Sequence, residues 1–188
     1  MKILKIPGAI KFIIQYERYL GKIKKYYKEK DHLKSIEWCN RLVEFDQDSY
    51  FGYYYKGMNS LQLKLYSDSR DYFELAEKKL FKNRYQKHLK EYFQNLKLRI
   101  SQSYYKELNY KEALQEIDKA IRQYPDFVDG YIYRIEIKEA AEDYDGALDD
   151  INLALKIKPD DKELISYKNH LVYNYIEDKK VKEKEASG

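Results

Sequence analysis

Displacing the chain by 34 positions against itself brings two stretches into register, and no other feature limits the fold as much. Asn109-Tyr110-Lys111-Glu112-Ala113-Leu114 then lies over Asp143-Tyr144-Asp145-Gly146-Ala147-Leu148. The same displacement carries Ile117 onto Ile151, Ala120 onto Ala154 and Pro125 onto Pro159. Each unit reads as two helices. In the second half of the first unit, Ala113, Leu114, Ile117, Ala120 and Ile121 fall at i, i+1, i+4, i+7 and i+8, which is one apolar helical face. Pro125 and Pro159 end those helices, because proline lacks an N–H and restricts the residue before it. Seven glycines and three prolines in 188 residues are too few for the turns of a many-stranded β fold. Aromatic residues at 16%, 22 of them tyrosine, give the chain enough apolar surface to fold despite 36% charge.

The unit resembles the tetratricopeptide repeat (TPR), a helix–turn–helix of the same length. The residues that carry the resemblance are Tyr104, Tyr110, Ala113, Ala120 and Pro125, then Tyr131, Tyr144, Ala147, Ala154 and Pro159. Alanine at the helix crossing lets two backbones approach closely. The resemblance implies an all-α fold, a right-handed α-solenoid of about four TPR units with a C-terminal capping helix.

The register extends toward the N-terminus in weaker form. One unit starts near Tyr50, with Tyr53, Gly57, Tyr66, Ser69, Phe73 and Ala76 in matching columns. Another starts near Tyr16, with Tyr19, Tyr26, Ser35, Cys39 and Leu42. The expected organisation is an N-terminal extension over 1–15, then repeats near 16–49, 50–83, 94–127 and 128–161 within a TPR-like domain spanning 16–176. From Tyr50 to the third unit at Gln94 the step is 44, and the added residues keep helical spacing (Tyr85, Leu89, Tyr92, Phe93, Leu96, Ile100). They predict one lengthened helix over about 83–107. A cap over 162–176 carries Leu164, Ile165, Tyr167, Leu171, Val172 and Tyr175, and the charged tail 177–188 is expected to be disordered. Ile135 occupies the column filled by Gly57 and Ser101, so the fourth helix pair is expected to spread or repack locally.

The residues point away from an enzyme. His32, His88 and His170 have no partner at metal or triad spacing, and no glycine-rich phosphate loop is present. His32 lies in the column of Tyr66, Tyr110 and Tyr144, which predicts interhelical packing. The acidic run Glu142, Asp143, Asp145, Asp149 and Asp150 lacks the ligand alternation of an EF-hand and suits a turn followed by an acidic first helical turn. No catalytic, cofactor-binding or metal-binding residue is assigned, and no cofactor is expected. The single cysteine, Cys39, excludes a disulfide framework and reads as a small core residue. No apolar run reaches the length of a membrane span, and Lys5, Lys11 and Pro7-Gly8 interrupt the N-terminal apolar stretch, so a cytoplasmic setting is expected.

The resemblance also implies that ligands bind a concave groove lined by the first helix of each unit. Carried over, the groove residues are Lys24, Tyr54, Tyr55, Met58, Arg99, Gln102, Tyr105, Tyr133, Glu136 and Tyr167, with Leu20, Leu61, Ile132, Glu139 and His170 beside them. Tyrosine offers broad apolar contact and one polar tip, which suits peptide recognition. Tyr53, Tyr66, Tyr104, Tyr110, Tyr131 and Tyr144 fall instead in columns where helices pack together. The TPR clamp for chaperone C-terminal carboxylates is disfavoured, since in all three frames Arg99 alone matches its basic and Asn positions. A non-enzymatic adaptor holding a peptide or helical segment of another protein is therefore expected, with no small-molecule substrate.

Charge divides unevenly. Residues 1–106 hold 23 basic and 12 acidic groups, a net of +11, whereas 107–161 hold 7 and 15, a net of −8. A basic half with interleaved aromatics, as in Lys24-Lys25-Tyr26-Tyr27-Lys28 and Arg84-Tyr85, keeps nucleic acid as an alternative partner. A second alternative is an architectural subunit that docks through the lengthened helix.

Overall fold

The computed structural model describes residues 8–81 and 88–186. Nine α-helices form among them: α1 (Gly8–Lys28), α2 (His32–Phe45), α3 (Tyr50–Gln62), α4 (Tyr66–Leu80), α5 (Leu89–Lys106), α6 (Tyr110–Gln123), α7 (Val128–Ala140), α8 (Tyr144–Ile157) and α9 (Lys162–Ala186). The fold is all-α and of the solenoid class, built from consecutive antiparallel helix pairs. Residues 83–87, where the lengthened helix was expected to start, lie outside the described residues, and α5 is described from Leu89. The helix α9 runs to Ala186 through the segment expected to be a disordered tail. Lys and Glu are good helix formers, and Lys180 pairs with Glu177 one turn back at 2.8 Å, so charge alone did not break the helix here.

Four turns share one backbone device. Lys30, Lys64, Leu108 and Glu142 follow the first helix of each pair with φ of 60°, 62°, 61° and 58°. Their spacing is 34, 44 and 34 residues, which is the interval pattern of the sequence columns. At each turn the next residue's N–H reaches back to the carbonyl five residues earlier: Asp31 to Tyr26, Leu65 to Ser60, Asn109 to Tyr104 and Asp143 to Lys138. This left-handed closure satisfies carbonyls that the helix end would otherwise leave open. The same next residue then serves as N-cap of the second helix, and Asp31 and Asp143 accept the N–H of Lys34 and Gly146 there.

The chain divides into two compact units, Met1–Ser103 and Tyr104–Gly188. In the first, α1 packs on α2, α2 on α3 and α3 on α4. Ile23, Cys39 and Leu42 form its inner cluster, with Tyr16, Tyr19, Trp38 and Tyr55 packed around them. Phe73 is fully buried against Gly57, where an added Cβ would stand 2.6 Å from the ring. In the second unit, α6 packs on α7, α7 on α8 and α8 on α9. Ala113, Ile117, Ala120, Ile135, Ala147, Ile151, Ala154 and Leu171 are fully buried there. Ile135 is thus accommodated inside the core.

Candidate functional site

The face made by the first helices can be built within each unit. In unit 1, Tyr27 of α1 sets its ring edge-on to Tyr55 of α3 at 5.8 Å and to His32 at 5.7 Å. Tyr54 meets Tyr55 at 5.5 Å and stacks on Tyr50, which in turn stacks on Tyr92 of α5 at 4.9 Å. Arg99 of α5 donates to Gln102 at 2.8 Å. Burial raises the Tyr27 hydroxyl's pKa, and the positive Arg99 works against that rise. Burial, then Tyr54 and Tyr27, push Tyr55 up to about 12.

A buried polar chain fixes this face from beneath. Fully buried Asn59 donates to Ser35 Oγ at 2.9 Å and to the Tyr55 carbonyl at 2.6 Å. Its Oδ1 shares a hydrogen bond with His32 Nδ1 at 3.0 Å, and Ser35 donates to the Ile23 carbonyl at 3.2 Å. Three helices are tied through one amide, since a buried polar group must be satisfied. His32 is therefore a polar link as well as a packing residue.

Of the residues expected to line the groove in this unit, Tyr54, Tyr55, Arg99 and Gln102 are half-buried and Lys24 is exposed. Met58 is packed down, with 8% of its surface left to solvent, and Leu20 is buried with it in the unit's core.

In unit 2, Tyr105 at the end of α5 lies edge-on to Tyr133 of α7 at 6.1 Å. Tyr133 is 8% exposed and forms the floor, whereas Tyr105 and Tyr167 are half-buried. The Tyr167 hydroxyl of α9 donates to Glu139 Oε2 at 2.5 Å, and Asn174 donates to Glu139 Oε1 at 3.4 Å. Burial and then the Glu139 carboxylate raise the Tyr167 pKa, and burial also raises that of Tyr105. Glu136 keeps an exposed side, yet burial of its carboxyl, then Glu139, hold it above the usual carboxylate range, and Lys106 opposes them. The structure brings Tyr105, Tyr133, Glu136 and Tyr167 together on one face.

Behind α7 lies a set of charges that sequence reasoning missed. Arg134 grips Asp150 through Nε at 2.8 Å and Nη2 at 2.5 Å, and reaches Asp118 through Nη1 at 2.6 Å. Lys138 adds a contact to Asp150 at 2.8 Å, and Asp150 is 2% exposed. Burial opposes the Arg134 charge, but the hydrogen bonds from Asp150 and Asp118 outweigh it and raise its pKa. A signal was present: Asp118, Arg134 and Asp150 stand 16 residues apart in turn. Asp150 was read as part of a turn and an acidic first helical turn, whereas its position on α8 turns it inward.

Among the described residues, no group of three His, Cys, Asp or Glu side chains could hold a metal ion, and no helix is long and apolar enough to cross a membrane. Burial pushes the Cys39 thiol up to about 12, which leaves little thiolate for nucleophilic chemistry.

In solved structures, the chain is similar to the Arabidopsis OM64 TPR domain, with TM-score 0.50 and 18% identity over 65% of this chain and 93% of that one. Helix pairs closed by left-handed turns at the repeat interval accompany that likeness. The fold is that of the tetratricopeptide repeat. The TPR fold is supported further by MamA 41-end from Desulfovibrio magneticus RS-1, with TM-score 0.65 and 13% identity over 92% of each chain. The Cut9–Hcn1 hetero-tetramer of the APC/C matches with TM-score 0.67 and 12% identity over 83% of this chain and 30% of that chain. No protein-family model matches the sequence, and no curated protein matches it. The TPR likeness therefore rests on fold, at 12–18% sequence identity.

Proposed function

We propose that this chain is a non-enzymatic TPR scaffold that binds a segment of another protein on the first-helix face of its units. The observation that carries this reading is the convergence of Tyr105, Tyr133, Glu136 and Tyr167 from α5, α7 and α9. Tyrosine rings with polar tips offer contact area at low entropic cost, and beside them stand carboxylates that can fix orientation. The Tyr54, Tyr55, Arg99 and Gln102 set, with Lys24 at its edge, is proposed to serve in the same way in unit 1. One of the similar structures, Cut9–Hcn1, is itself a hetero-tetramer, which fits a protein-binding role.

A nucleic-acid role is less well supported. Tyr26 and Trp38, the rings best placed among basic residues, already carry cations: Lys25 and Lys34 stand 5.6 and 5.7 Å from the Tyr26 centroid, and Arg41 4.5 Å from that of Trp38. Stacking a base there would displace them.

Photo-cross-linking tests the reading. A photoreactive phenylalanine at Tyr54 or Tyr105 should capture protein partners, and one at exposed Gln115 on α6 should not. Capture from Gln115 without capture from either tyrosine position would overturn it.

A further inference from the structure

The charges of α7 are sorted between its two sides. Arg134 and Lys138 point toward α6 and α8, where Asp118 and Asp150 neutralise them. Glu136 and Glu139, three residues apart, lie on the first-helix face with the tyrosines. Glu139 is held by the neutral donors Tyr167 and Asn174, so its charge is solvated by dipoles and not cancelled. Glu136 makes no hydrogen bond or ion pair among the described residues. The cation that faces it is Lys106, which is exposed and whose ammonium sits 5.9 Å from the Tyr105 ring centroid.

Resting on the protein-binding reading above, we infer that the unit 2 face selects a partner segment bearing a lysine or arginine, whose cation docks between Glu136 and Glu139 with its methylene stem against Tyr105 and Tyr167. The occupant follows from charge complementarity. Two carboxylates in a ring-lined setting offer a cation both a counter-charge and aromatic faces. They are too few for calcium, which takes six to eight oxygens. A lysine or arginine stem also covers the tyrosine surface that a small ion would leave wet. Lys106, exposed and with its ammonium 5.9 Å from the Tyr105 ring centroid, can give way to the incoming cation.

Fluorescence anisotropy with the full chain tests this, using three short labelled peptides in about 0.15 M salt. One alternates Lys with Leu, and the others replace every Lys by Gln or by Glu. The Lys peptide should bind most tightly. Glu136→Gln, which breaks no internal hydrogen bond, should weaken it about tenfold and leave the Gln peptide unchanged. Lys106→Gln should tighten the Lys peptide about threefold by removing the resident cation. Glu112→Gln, exposed on α6, should have no effect.

Equal binding of Lys and Gln peptides, with loss on Tyr105→Ala, would overturn the cation assignment and leave the protein-binding reading standing. An equal loss from Glu112→Gln would reduce the effect to general acidity and also overturn the assignment. No binding by any peptide would overturn both. Self-association abolished by Glu136→Gln would place the cation on a second copy of the chain, which overturns the proposed partner.

Discussion

Two carboxylates on neighbouring helices show how differently one residue type can be used. Asp150 is buried and paired, so removing its charge leaves Arg134 and Lys138 facing each other without their shared counter-ion. Asp150→Asn should cost about 3 kcal/mol, read as a lower urea midpoint, whereas Glu177→Gln at an exposed pair should leave the midpoint unchanged. Glu136 carries the opposite sign. Its carboxyl lies above the usual range in the folded chain, first through burial and then through Glu139. A raised acid stabilises the fold below its unfolded pKa and loses that contribution as pH rises through the folded value. Glu136→Gln should therefore melt at the parent's temperature or higher at pH about 7, with the difference closing near pH about 4. A variant that melts lower at neutral pH would contradict the assignment. A carboxylate whose charge works against the fold on an open face is a place to look for function.

At the scale of the helix pair, size is traded across the crossing. In the first pair Ile23 on α1 packs with the small Cys39 on α2, whereas in the next pair Gly57 on α3 packs under Phe73 on α4. The same two columns thus hold large against small, then small against large. Helix propensity favours Gly57→Ala by about 1 kcal/mol, but the new Cβ would stand 2.6 Å from a ring with nowhere to move. Packing should win, and the substitution should cost about 1–2 kcal/mol net. Adding Phe73→Leu should recover part of that loss, so the double variant should be more stable than the two single costs imply when read by denaturant titration. Cys39, Gly57 and Phe73 were visible in the sequence as column residues, whereas Ile23 was not singled out. Their compensation was not visible, because it shows only when the two helices are placed face to face.

Over the whole chain, what was legible follows from what repeats. The helix pairs, their intervals and the fold class came from tyrosine, alanine and proline columns, and the turns at Lys30, Lys64, Leu108 and Glu142 fall at the same intervals. What did not repeat stayed hidden. The Asn59–Ser35–His32 chain joins the first pair to the second and is found there alone among the described residues, and the Arg134–Asp150–Asp118 set spans three helices. The extension of α9 was missed because a charged composition was weighed above helix propensity. The groove list held both exposed residues, such as Lys24, and residues such as Met58 that the core absorbs, since a column fixes a helix face only to within a residue or so. The four turns also have a practical meaning. Each holds a side-chain-bearing residue in a left-handed conformation that costs roughly 1 kcal/mol against glycine. At Leu108, which is exposed, no core contact opposes the exchange. The chain thus keeps a reserve for thermostabilisation at the joints between helices, one that an engineer could draw on without altering a single residue of the tyrosine-lined faces.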